Sequence, residues 1–150
     1  MTGSNHLVTG ALIAAVVPVP ALAIPLAFVS HFVLDALPHF GDTNKHSWLN
    51  RHFNYILAVD IIVGLAFLLA LAILQPLHWV LMLVCAAVSV SPDALWIPYY
   101  LSDRKGIELE HGRLSKLFKK IQWAERPWGI YVEVLWFVTG VFVLSRIMYT

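Results

Sequence analysis

Two ionisable residues stand four positions apart inside an apolar run, in Ser30-His31-Phe32-Val33-Leu34-Asp35-Ala36-Leu37-Pro38-His39. On a helix, residues i and i+4 lie one above the other on one face. HxxxD therefore sets an imidazole nitrogen and a carboxylate oxygen about one metal diameter apart. Both are good ligands for zinc or a similar divalent ion. The spacing is common by chance in soluble helices. Inside an apolar run it carries more weight, because an ionisable group at a bilayer centre costs about 2.5 kcal/mol or more. His39 falls two turns beyond His31 on nearly the same face if the helix continues through Pro38. It is then a further ligand candidate; otherwise it is an interfacial histidine.

Three more acids stand in or beside apolar runs: Asp60, Asp93 and Glu133. Asp93 follows Pro92, and a proline inside a helix frees a carbonyl (here that of Val88) and kinks the rod. Such kinks open polar cavities in membrane proteins. Asp60 and Asp93 are candidates to complete a site with His31 and Asp35, one of them as general base. The competing reading is a polar network that only locks the helices together.

These side chains depend on the elements that carry them. Of 150 residues, 59% are hydrophobic and 13% charged, about half the charged share of a soluble domain, and mean hydropathy is +0.74. The apolar residues come in runs: Leu7–Val17, Ala21–Leu37, Phe53–Leu74, Leu77–Leu101 and Pro127–Met148. Pro18-Val19-Pro20 separates the first two, Gln75-Pro76 the third and fourth, and Pro25 suits a first helical turn. Continuous rather than alternating runs select helices over a barrel. The expected fold is all-α: one membrane domain over 1–150, a polytopic bundle of about five membrane helices. Leu114, Leu117, Phe118 and Ile121 follow i, i+3, i+4, i+7, which predicts one interfacial amphipathic helix over 107–123. The first run is short for a full crossing, so residues 7–37 form either a hairpin or one broken span. The hairpin brings His6 to the same side as the polar loops.

Loop 38–52 holds Lys45 and Arg51. Loop 102–126 holds Arg104, Lys105, Arg113, Lys116, Lys119, Lys120 and Arg126. Only Arg146 lies elsewhere, so nine of the ten basic residues face one compartment. The positive-inside rule makes it cytoplasmic, and the expected location is the cell (inner) membrane. Trp48, Trp79, Trp96, Trp123 and Trp128 sit near the run boundaries, as in an aromatic belt. By helix rise, His31, Asp60, Asp93 and Glu133 all lie roughly 9–12 Å in from that same surface.

Other chemistries lack their residues. Net charge is +1, so no overall field argues for nucleic acid. The lone Cys85 has no CxxC partner, and no G-x-S-x-G or Gly-rich phosphate loop is present. The first six residues carry no Lys or Arg, which argues against a cleaved signal.

Asn5-His6-Leu7-Val8-Thr9-Gly10-Ala11-Leu12, together with the Ser30–His39 stretch, resembles the predicted membrane-bound metal-dependent hydrolases of bacteria and archaea. That family is distantly similar to zinc-dependent phospholipase C. The resemblance covers mainly residues 5–41. It implies a metal site with His6, His31 and Asp35 as ligands, and His39 with them. The family's Pro-Asp-x-Asp stretch after the first helix is absent; the nearest Pro-Asp is Pro92-Asp93, and Lys45-His46-Ser47 and Arg51-His52 match its histidine pairs only loosely.

The expected function is a membrane-embedded metal-dependent hydrolase, with zinc as the first choice of ion. It would lower the pKa of a bound water toward 7 and act on a phosphoester or lipid near the cytoplasmic face. The lipid bilayer is the expected partner. An ion or proton relay in a small transporter or channel subunit, or a non-catalytic scaffold, are the alternatives.

Overall fold

The computed structural model describes residues 1–41, 50–107, 109–110, 112–113, 115–116, 120 and 124–148. The interfacial helix expected from Leu114, Leu117, Phe118 and Ile121, and the Lys45-His46-Ser47 segment, lie mostly or wholly outside these residues.

Helix α1 (Gly3–Val16) and helix α2 (Pro20–Asp35) are joined by three residues. The two prolines turn the chain: Pro20 takes the first helical position, where a missing N–H costs nothing. Pro25 lies within α2 rather than in its first turn, at the cost of one backbone hydrogen bond. The ends pair as a hairpin requires, since His6 near the start of α1 meets His31 and Asp35 near the end of α2. At 1.5 Å per residue the two helices are about 21 and 24 Å long, short of a core about 30 Å thick.

Three helical segments are long and apolar enough to cross a membrane. They are α3 (Arg51–Leu74), the rod Trp79–Arg104, and α6 (Gly129–Met148). The rod comprises α4 (Trp79–Val90), a 3-10 turn (Ser91–Trp96) and α5 (Ile97–Arg104). Among the described residues this is the part of the expected five-span count that length supports. Leu65, Leu69 and Ile73 on α3, Val138 and Phe142 on α6, and Val29 and Val33 on α2 point outward. An apolar exterior of this kind is what a helix presents to lipid.

Helix α1 sits in the middle, packed on α2, α3, α4 and α6. Small residues permit the approach. A Cβ on Gly10 would lie 2.3 Å from the Cys85 carbonyl oxygen, so the two backbones are in contact there. Gly64 of α3 and Gly140 of α6 receive Leu7 and Val8 in the same way. Leu7, Ala11 and Ala14 join Ala23, Met82 and Leu144 in the core.

The polar loops meet in a two-residue parallel pair, β1 (His39–Phe40) against β2 (Glu125–Arg126). This pair holds residues 39–40 and 125–126 at the same end of the bundle as the start of α1. Glu133 clasps that end, its Oε2 accepting from Thr2 N at 3.1 Å and its Oε1 from Phe40 N at 2.9 Å.

Candidate metal centre

His6, His31, Asp35 and Asp93 come together from α1, α2 and the 3-10 turn. Each offers one ligand atom, and these atoms all lie within 4.8 Å of one another. A tetrahedral shell with bonds of about 2.0–2.1 Å has ligand-to-ligand edges of roughly 3.4 Å. Two measured separations bracket that edge: His31 Nε2 is 3.2 Å from Asp35 Oδ2 and 3.9 Å from Asp93 Oδ1.

The His31 ring is oriented from behind. Its Nδ1 lies 2.9 Å from the carbonyl oxygen of Ser89 and must donate to it. In a neutral ring Nε2 is then a bare lone pair, yet it faces two carboxylates. Those contacts become attractive only when a proton or a metal cation lies between them. An imidazole whose second nitrogen donates to a backbone carbonyl is the usual arrangement of a metal-ligating histidine.

Ser89 supplies that carbonyl because of Pro92. Three residues on, where a 3-10 turn would draw its donor, proline has no N–H to offer. The freed carbonyl expected at Val88 is instead satisfied by the N–H and hydroxyl of Ser91. Pro92→Ala restores an N–H that competes for the Ser89 oxygen. It should weaken metal binding by about 10–100-fold, the effect of losing an outer-shell partner, as read by competition with a chromogenic chelator. Unchanged affinity would show that Ser89 does not orient the ring.

His6 stacks on His31 with centroids 4.1 Å apart and planes 25° from parallel. Its side chain is fully buried and its Nε2 lies 3.2 Å from Asp35 Oδ1, but among the described residues neither ring nitrogen makes a hydrogen bond of acceptable geometry. A buried imidazole left this way carries a desolvation penalty that a metal bond would remove. The amine nitrogen of Met1 also contacts Asp35 Oδ1, so nitrogen groups approach this carboxylate from His6, His31 and Met1. Asp93 is the most open member, with 21% of its side chain exposed against 0–4% for the other three.

The remaining candidates do other work. His39 lies outside the group. Helix α2 ends at Asp35 because Pro38 cannot continue it and disfavours helical backbone at Leu37. The His39 ring therefore leaves the His31 face and bonds the Leu37 carbonyl through Nδ1 at 2.8 Å. Burial pushes its pKa below the ordinary histidine value. Asp60 also stands apart. Its Oδ2 accepts from Gly3 N at 2.8 Å and its Oδ1 from Ser4 N at 3.0 Å, which caps the start of α1 and matches the helix dipole. Asp60→Asn puts an amide N–H against one of those donors. It should cost about 1.5–3 kcal/mol in a denaturation assay while leaving metal content unchanged. Loss of metal without loss of stability would instead place Asp60 in the ligand group.

The spacing of the sequence does not point to Ser89. Ser89 acts through its backbone; the nearest signal was Pro92 three residues on. Comparison of the chain with protein-family models, with curated proteins and with solved structures found no match in any of the three.

Proposed function

We propose that the protein is a membrane-embedded metal-dependent hydrolase, with a divalent ion, zinc first, held by His6, His31 and Asp35. The observation that carries this reading is that His31 Nε2 faces two carboxylates, at 3.2 and 3.9 Å, while its other nitrogen is committed to Ser89 O. Two histidines and one carboxylate make a three-residue set that leaves a fourth position open, the pattern of catalytic rather than structural zinc sites. A divalent ion there supplies Lewis acidity and acidifies water.

The protein's own residues do the rest. Asp35 gathers both imidazoles, and the small-residue packing of α1 keeps them dry. Asp93, at the exposed rim, is placed as the proton acceptor. Water adds its oxygen to the ester, one proton passes to Asp93, and the leaving alkoxide takes that proton up. The nine basic residues of the two polar loops favour a site beneath the cytoplasmic face of the inner membrane, among lipid headgroups. That favours a phosphoester or lipid substrate.

The test is hydrolysis of a mixed phospholipid vesicle by the zinc-loaded protein. Turnover should stop with chelator, return with zinc, and fall at least a hundredfold in Asp93→Asn, the size of a lost general base. Turnover that ignores both treatments would remove the hydrolase reading. A proton relay through Asp60 is disfavoured, because both its oxygens already hold backbone N–H groups.

A further inference from the structure

Ser30 and His31 are consecutive on α2, and both bond the same residue of α4, Ser89. Ser30 Oγ lies 3.2 Å from Ser89 Oγ. His31 Nδ1 lies 2.9 Å from Ser89 O. The direction of the hydroxyl contact follows from its surroundings. Ser30 Oγ donates to the Ala27 carbonyl at 2.7 Å, which uses its one proton. It therefore receives the second bond, and Ser89 Oγ donates it. Ser89 is fully buried, where a hydroxyl without a partner is costly.

Consecutive side chains on a helix stand about 100° apart. The two bonds therefore straddle the line of contact between α2 and α4. One hydrogen bond between helices leaves them free to pivot. Two, from adjacent residues to a single residue, fix both rotation and slide. One turn away, Ala27 and Ala86 are buried in the core, and such small residues let backbones come close enough for short hydroxyls to meet. The register matters to the metal group because its members ride on different elements. His31 and Asp35 belong to α2, whereas Asp93 stands in the 3-10 turn that continues α4. The 3.9 Å between His31 Nε2 and Asp93 Oδ1 is set by how α2 docks on α4.

We propose that the Ser30 and Ser89 hydroxyls are positioning residues for the metal centre. Their bond holds α2 in the register that keeps His31 Nδ1–H on the Ser89 carbonyl and turns Nε2 toward Asp35 and Asp93. Neither hydroxyl is itself a metal ligand. The consequence for zinc rests on the proposed metal centre; the consequence for the His31 ring does not.

The experiment has two readouts on the full chain in detergent. In the metal-free protein with isotope-labelled histidine, NMR follows exchange of the His31 Nδ1 proton with water, the signal being assigned by its loss in His31→Ala. Ser30→Ala and Ser89→Ala should each speed that exchange about tenfold, the ratio that one hydrogen bond supports. Ser30→Thr keeps a hydroxyl and should exchange as the wild type does. The second readout is zinc affinity by competition with a chromogenic chelator. It should fall about tenfold in each alanine variant. It should fall no further in the double variant, because both changes remove the same bond, and it should stay at the wild-type level in Ser30→Thr. Unchanged exchange in both alanine variants would overturn the proposal. So would a Ser30→Thr protein that behaves like Ser30→Ala, since packing at that position and not its hydroxyl would then matter. A wild-type protein that binds no zinc would remove the metal centre, and the exchange rates would still decide the role of the two serines.

Discussion

His31→Ala and Asp35→Ala should each lose bound zinc by well over a hundredfold in affinity. Removing an outer-shell partner of a metal ligand typically costs 10–100-fold, and these substitutions remove ligands themselves. Asp35 is the sharper case, because its two oxygens reach both histidines at 3.2 Å. Its loss removes the carboxylate that both imidazoles share and leaves only Asp93, beside His31. Elemental analysis after exhaustive dialysis reads the outcome directly. His39→Ala is the matched control: its ring bonds the Leu37 carbonyl, and metal content should be unchanged. Equal metal in wild type and Asp35→Ala would remove the site.

Gly10→Leu should be the most damaging single change in the core. The new Cβ would lie 2.3 Å from the Cys85 carbonyl oxygen and 2.8 Å from the Ala86 Cα. Both are backbone atoms, so no side chain can swing aside, and α1 and α4 must part. Overpacking of this kind costs about 1–3 kcal/mol, and more where the backbone has to move. The effect reaches the site as well. His6 rides on α1, His31 on α2, and Asp93 follows α4, so separating the helices pulls the site apart. Lower thermal stability and lower metal occupancy should appear together. A Gly10→Leu protein that melts with the wild type would mean the α1–α4 contact is not as close as described.

Several parts of this arrangement were legible in the sequence, for physical reasons. HxxxD is a local spacing, and α2 stays helical across it, so His31 and Asp35 meet as the i, i+4 rule requires. Pro18-Val19-Pro20 is a local turn signal, and it turns the chain into the expected hairpin. Asp93 stood out because an acid in an apolar run demands a partner, and it has one in His31. His6 was different. Nothing in the spacing of α1 marks it as a ligand; only the hairpin and the resemblance brought it into consideration.

The features that escaped are those set by contact between distant elements or by backbone atoms. Asp60 and Glu133 stand out as acids in apolar runs, but which N–H groups they meet depends on where the start of α1 docks. Ser89 holds His31 through a carbonyl, a group every residue carries. The β1–β2 pair is two residues long, too short for a period-2 pattern to declare itself. His39 depended on whether a helix crosses Pro38, and steric exclusion at the residue before proline decided it.

The most direct measurement is a zinc K-edge X-ray absorption spectrum of the zinc-loaded wild-type protein, taken with its metal stoichiometry. The predicted result is one ion per chain, with two imidazole nitrogens and carboxylate oxygen at about 2.0–2.1 Å and no sulfur. A shell of oxygen alone without imidazole, a sulfur ligand from Cys85, or no retained zinc would contradict a centre built from His6, His31 and Asp35.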